Sequence, residues 1–181
     1  MVHIFQNSFA YNWGTTQAER SYVFPCDKYL SDVNDTIFRA VSIQADRSTV
    51  FRWICQLQVA PYSYDWLDNR GQLSPRELQP GLDNLVVGRK FMGIFDLAEF
   101  EPDKQITLCL NDSSFERVYG KVVTSYVTRT ASVSETRLLV KLLIRRTSCR
   151  RYSWIGPLLP LGDFVMMRKQ LLTLKQLCER E

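Results

Sequence analysis

Apolar and polar residues alternate through most of the second half of the chain. Residues 105–110 put Ile106, Leu108 and Leu110 on one face, and residues 136–146 put Leu138, Val140, Leu142 and Ile144 on one face with Arg137, Lys141 and Arg145 on the other. That two-residue period predicts strands with one buried side. Residues 91–100 alternate Met92, Ile94 and Ala98 against Phe95 and Leu97, and stop at the turn Glu101-Pro102-Asp103. Asn111 to Ser114 marks another turn, followed by the Val- and Thr-rich residues 119–129 and by Ala131 to Ser134. Consecutive strands joined by tight turns predict an antiparallel meander.

Upstream, residues 36–43 are β-branched and aromatic with near alternation, and read as a further strand. The period then changes. Val50, Phe51, Ile54, Leu57 and Gln58 fall at helical spacing, Trp53 widens the apolar side, and Asp46 stands where an N-cap belongs. Pro61 ends that helix by disfavouring helical geometry at Ala60. Ser74, Pro75 and Glu77 resemble a capping box and predict one helical turn over 75–78 inside a loop that runs to Lys90. A loop of that length suits a lid or binding loop. At the far end, Phe164, Val165, Met167, Leu171, Leu172, Leu174, Leu177 and Cys178 predict a long helix from about 161 to 180, with Lys169, Thr173, Gln176 and Arg180 on its wet side. Met166 and Met167 would suit the wall of an adaptable pocket.

Residues 1–34 lack such a period. Phe5, Phe9, Tyr11 and Trp13 are anchors among polar residues, and 21–24 reads as a short strand stopped by Pro25. The expectation is an extension, 1–34, packed on a domain spanning 35–181. With 181 residues and 45% hydrophobic content, one such domain can bury a sizeable core.

Composition narrows the chemistry. The five cysteines are odd in number and scattered without a CxxC pair, and His3, Gln6 and Asn7 interrupt any apolar run at the start. The chain therefore reads as cytoplasmic and reduced. No apolar run approaches the ~18 residues of a spanning helix. The net charge of +4 is mild, with Arg145, Arg146, Arg150 and Arg151 clustered ahead of Tyr152 and Trp154. A nucleic-acid face needs a broader basic surface, so no nucleic-acid partner is expected; the cluster is compatible with weak membrane-surface contact. A single terminal His supplies no Ser/His/Asp, Cys/His or metal set, and nucleotide loops are absent, so no cofactor or metal is expected. Oligomeric state is not legible.

The densest chemistry lies in residues 59–71, where Tyr62, Tyr64 and Trp66 are interleaved with Asp65, Asp68 and Asn69. Two roles are open. The rings are either wedges over the core with polar tips at the surface, or the mouth of a ligand cavity. Asp65 and Asp68 either hold the turn or act as acids and bases, the latter only if burial raises their pKa.

A strand, short helices, a meander and a long terminal helix resemble the helix-grip arrangement of the START-like, or SRPBCC, superfamily, an α+β fold with a curved antiparallel sheet wrapped around a long C-terminal helix. Ala40-Val-Ser-Ile-Gln-Ala-Asp46 running into Val50-Phe-Arg-Trp-Ile54 looks like its first strand and helix, and the segment from Pro61 to Leu78 is similar to one in a bacterial subgroup. The resemblance covers residues 35–181. The family has seven strands where five are legible here, so either 115–130 and 134–147 are split or the extension contributes. The resemblance implies a cavity between sheet and helix, although fold does not determine function. One expectation is binding of a hydrophobic small molecule (lipid, polyketide or isoprenoid-like) by Phe95, Leu97, Tyr126, Phe164, Met167 and Leu171, with Tyr62, Tyr64, Trp66 and Asp68 at the gate. A second is a polyketide cyclase/dehydratase-type enzyme with Asp65 or Asp68 as base and Tyr62 or Tyr64 as donor. A third is a protein-interaction module docking through the aromatic rim and the arginine cluster.

Overall fold

In the computed structural model, which describes residues 9–69, 71–147 and 158–181, the alternating segments form one antiparallel sheet. Its six strands are β1 (Asp35–Ile43), β2 (Lys90–Phe91), β3 (Phe95–Glu101), β4 (Gln105–Leu110), β5 (Lys121–Ser132) and β6 (Glu135–Arg145). They lie in the order β1-β6-β5-β4-β3-β2. Strands β2 to β6 are a meander, and β1 closes against the last of them through nine register pairs from Asp35↔Ile144 to Ile43↔Thr136. Register shifts at Leu97/Glu99 and Thr130/Ser132 help the sheet to curve.

The helix after β1, α3 (Arg47–Cys55), starts where Asp46 Oδ1 accepts from the amides of Ser48 (2.9 Å) and Thr49 (3.0 Å). It runs into a 3-10 turn, Gln56–Gln58, and stops short of Pro61, after which comes a single helical turn, α4 (Asp65–Asp68). The last helix, α6 (Leu159–Cys178), lies across the same side of the sheet as α3. Between them the core is built from Leu97, Ile106, Leu108, Leu138 and Val140 of the strands, Val50, Phe51 and Ile54 of α3, and Leu171, Leu174 and Leu177 of α6.

The opposite face of the sheet is buried as well. Phe38, Ala40, Val123, Val127, Leu139 and Leu143 lie under Phe24, Cys26 and Leu30. Two short helices, α1 (Phe9–Asn12) and α2 (Gln17–Arg20), precede that cover. Between them the chain crosses the free edge of β1, where Trp13 O accepts from Ala40 N at 3.1 Å. Gly14 is required there: at φ +76° a Cβ would stand 2.1 Å from Ala40 O. An edge covered in this way is closed to pairing with another chain. The alternation in β6 therefore misleads on one point, because its charged phase is not simply solvated: Lys141 pairs with Asp27 at 2.5 Å and Arg137 with Glu19 at 2.7 Å.

Several local expectations are corrected. Residues 21–24 form no strand; Phe24 N donates to Asp27 Oδ2 at 2.9 Å and starts a 3-10 turn, Pro25–Lys28. Residues 91–100 are not one strand, since Met92 (φ +49°) and Gly93 (φ +74°) turn the chain between β2 and β3. No helix forms over 75–78, because Ser74 N is bound by Asp65 Oδ2 at 3.0 Å instead of starting a capping box. A helix that the alternation hides, α5 (Ser113–Tyr119), begins at the Asp112 cap and ends at Gly120. On α6, Thr173 is buried and Val165 is exposed, the reverse of their polarity, because the Thr173 hydroxyl is satisfied by Lys169 O at 2.9 Å. Strands β5 and β6 run unbroken, so the sixth strand comes from the division of 91–100.

Candidate functional site

On α6 the residues Asp163, Met167, Gln170, Leu171 and Leu174 follow helical spacing and share one face. Leu171, Leu174 and Leu177 seal the core towards its C-terminal end; upstream of them the same face carries a carboxylate, Asp163, and an amide, Gln170. Opposite them the sheet presents one row in register, Arg39↔Val140, Val140↔Tyr126 and Tyr126↔Ile106. Arg39 and Tyr126 are thus polar residues on the inward phase of their strands.

These groups form a polar belt. Arg39 Nη2 donates to Asp163 Oδ2 at 2.6 Å and Nη1 to Phe38 O at 2.9 Å. The Phe164 ring covers the guanidinium at 5.7 Å, with Phe9 packed edge-on against it at 5.4 Å. Tyr126 OH donates to Gln170 Oε1 at 2.7 Å, and Gln170 Nε2 donates to Pro61 O at 2.7 Å. Next to Pro61 is Tyr62, buried and at φ +54°, its ring edge-on to Trp53 with centroids 6.1 Å apart. Three buried donor atoms in this region, Arg39 Nε, Trp53 Nε1 and Tyr62 OH, have no hydrogen-bond partner among the described residues.

Burial dominates the electrostatics. It pushes the Tyr62 hydroxyl up to about 12, the Asp65 charge adding to the shift and Arg76 opposing it. The Tyr126 hydroxyl is raised by burial and by the Asp163 charge. Burial raises the Asp163 carboxyl from 3.8 to about 6, against the pull of Arg39. A carboxyl held higher in the folded than in the unfolded chain binds more protons when folded, so its contribution to stability is full below about 3.8 and is lost as pH rises through about 6. In urea titrations the wild type should lose stability relative to Asp163→Asn across that window and hold a constant difference above it. A difference that does not change between those pH values would show that the carboxyl titrates normally.

Of the residues singled out from the sequence, Tyr62, Leu97, Tyr126 and Leu171 come together in the buried interior, with Phe95 and Met167 half-buried against them. Phe164 lies over Arg39. Tyr64 and Asp68 are half-buried, whereas Trp66 stands 74% exposed. Asp65 is engaged through both oxygens by Ser74, the hydroxyl donating to Oδ1 at 2.5 Å. Asp68 is raised by burial, and its Oδ1 has no partner among the described residues. In the arginine cluster, Arg146 forms a two-bond pair with buried Asp35 (2.6 and 2.8 Å), which also accepts from Tyr11 OH. Arg150, Arg151, Tyr152 and Trp154 lie outside the described residues.

Sequence reasoning passed over Arg39, Trp53, Asp163 and Gln170. Arg39 was findable, as a charge on the apolar phase Ile37, Val41, Ile43. Among the described residues no His, Cys, Asp and Glu cluster is placed to hold a metal, and no helix is long and apolar enough to cross a membrane.

The sequence matches no family model and no curated protein. Solved structures do match. The Zhui aromatase/cyclase from Streptomyces sp. R1128 superposes with a TM-score of 0.54 over 80% of this chain and 93% of its own, at 9% identity. The chain has the START-like helix-grip fold. A hypothetical protein from Helicobacter pylori has the same arrangement over 91% of this chain and 98% of its own, with a TM-score of 0.55 and 12% identity. A Thermobifida fusca protein covers 80% and 93% respectively, at a TM-score of 0.54 and 12% identity. At such identities what is shared is the START-like fold, and the side chains that would choose a ligand are this chain's own.

Proposed function

We propose that the protein binds an apolar small molecule between the sheet and the N-terminal half of α6. The observation that carries this reading is a set of apolar side chains left half-buried: Met92, Phe95 and Met167 against the core that holds Tyr126, Leu110 in register with Phe95, and Val122 against the cluster of Tyr11, Ile37 and Leu142, whereas Leu171, Leu174 and Leu177 of α6 are sealed. An apolar ligand seated there would complete the packing of these side chains. In this reading Leu97, Tyr126, Phe164 and Leu171 complete the wall, and the loop carrying Tyr62, Tyr64, Trp66 and Asp68 is the rim. Cyclase or dehydratase chemistry is a second reading, and it draws on Asp68 as base, raised by burial and with one oxygen that has no partner among the described residues, and on Tyr62 or Tyr64 as donor. Asp65, committed to Ser74, is less available for that role.

Two measurements test binding. Organic-solvent extraction of the purified protein should release a stoichiometric apolar compound detectable by mass spectrometry, and the emptied protein should bind the uncharged probe N-phenyl-1-naphthylamine. Phe95→Glu should weaken probe binding by about tenfold or more, since a carboxylate would then have to be buried with the probe, while the urea midpoint moves little. An empty extract together with no probe binding in the wild type would overturn the reading.

A further inference from the structure

We infer that the ligand presents a neutral carbonyl oxygen to the hydroxyl of Tyr62 and the indole N–H of Trp53. The inference rests on the binding reading above and names the polar feature that such a ligand must carry.

Tyr62 is 1% exposed and holds φ +54°, a backbone region that residues with a Cβ adopt only under constraint. The constraint is visible on both sides of it. Pro61 O accepts from Gln170 Nε2 at 2.7 Å, and Ser63 Oγ donates to Met166 O at 3.1 Å. Both neighbours of Tyr62 are thus tied to α6, and the Tyr62 ring is held inward against Trp53. Phenylalanine at either position would keep the ring contact without burying a polar atom. Instead, both rings carry one, and neither has a partner among the described residues.

The character of the two heads selects the missing group. An indole N–H can only donate. The tyrosine hydroxyl, pushed up to about 12, stays protonated at neutral pH and is a donor too. An acceptor with two lone pairs and no hydrogen of its own satisfies both, as a ketone or ester oxygen does. A carboxylate fits less well, because it would bring a net charge into a buried site near Asp65. Water is the competing occupant.

The test compares shape-matched ligands that differ only at the acceptor: 2-acetylnaphthalene against 2-isopropenylnaphthalene, and acetophenone against α-methylstyrene as a smaller pair. Calorimetric titration of the wild type should show the ketone binding about tenfold or more tightly than its alkene partner in at least one pair. Tyr62→Phe and Trp53→Phe should each shrink that ratio about threefold or more while leaving the alkene's affinity unchanged. The carbonyl stretch of the bound ketone should lie at lower wavenumber in the wild type and move back towards its free value in Tyr62→Phe. That variant removes a hydroxyl that has no partner among the described residues, so its melting temperature should not fall, and it carries the test alone if Trp53→Phe does not fold. Equal affinities for ketone and alkene, or a ratio unchanged in the variants, would overturn the inference, assign the donors to water and leave the cavity standing. If no member of either pair binds while N-phenyl-1-naphthylamine does, the inference is overturned and the binding reading stands; if the naphthylamine does not bind either and the extract is empty, both fall.

Discussion

Asp163→Leu lowers stability by about 3–5 kcal/mol, because it strands Arg39 as a buried charge. The Arg39 side chain is 1% exposed, it projects from β1 into the interior, and Asp163 Oδ2 at 2.6 Å is its only charged partner among the described residues. Taking that partner away leaves the guanidinium with the Phe38 carbonyl and the Phe164 ring, neither of which compensates a full charge. The double variant Arg39→Met with Asp163→Leu should recover most of the loss, since an apolar pair of similar volume removes the desolvation problem along with the attraction. Urea unfolding of the four proteins gives the coupling energy directly. A single-variant loss below about 1 kcal/mol would mean that water reaches Arg39 and that the pair behaves as a surface one. The exposed pair Lys104–Glu101, with both side chains more than half exposed, provides that comparison within the same molecule.

Gly120→Ala should be of similar size, at least about 3 kcal/mol, for a steric reason. Gly120 ends α5 at φ +86° and ψ −167°, with its amide donating to Glu116 O at 2.8 Å. A Cβ built there would lie 2.1 Å from Arg145 O, at the last residue of β6, and 2.6 Å from Thr147 N, just beyond it, both backbone atoms. Neither can move without opening the end of the β5–β6 ladder, which begins at Lys121↔Arg145. Gly93→Ala is the matched control: it has φ +74° and open space around the new methyl, so it should cost only about 1 kcal/mol for the backbone conformation. Urea midpoints that place Gly120→Ala level with Gly93→Ala would show that the two chain segments separate at little cost.

What was legible from the chain and what was not divide by the distance over which each feature is decided. Strand β4, strand β6, the Asp46 cap and the extent of α6 rest on periods and caps that operate within a few residues, and each follows from its own stretch. The division at Met92-Gly93 and the helix after Asp112 are local as well, and their cues were a glycine inside an apolar run and an Asp followed by a glycine eight positions on. The failed capping box is different in kind. Ser74 is a sound cap by type, but Asp65, nine residues earlier, competes for the same hydroxyl and amide and keeps them.

The candidate site shows the same division. Tyr126 and the apolar wall could be chosen from residue type and phase, because inward phase on a strand or helix is a local property, and Tyr62 from residue type alone. Its polar members could not be matched to one another. Arg39 and Asp163 are 124 positions apart, Tyr126 and Gln170 44 apart, and Gln170 and Pro61 109 apart. No period links such residues; only the closing of α6 over the sheet brings them within hydrogen-bond distance.

By itself, then, the sequence determined strands β1, β4, β5 and β6, the helices α3 and α6 and the START-like order in which they follow one another, since backbone geometry and side-chain phase are settled among near neighbours. Only the tertiary structure decided that residues 24–30 cover the outer face of the sheet, that Arg39 is buried against Asp163, and that Tyr62 is turned inward with its hydroxyl unmatched among the described residues. Burial and pairing are properties of what the rest of the chain places beside a residue, and that is set only when distant segments meet.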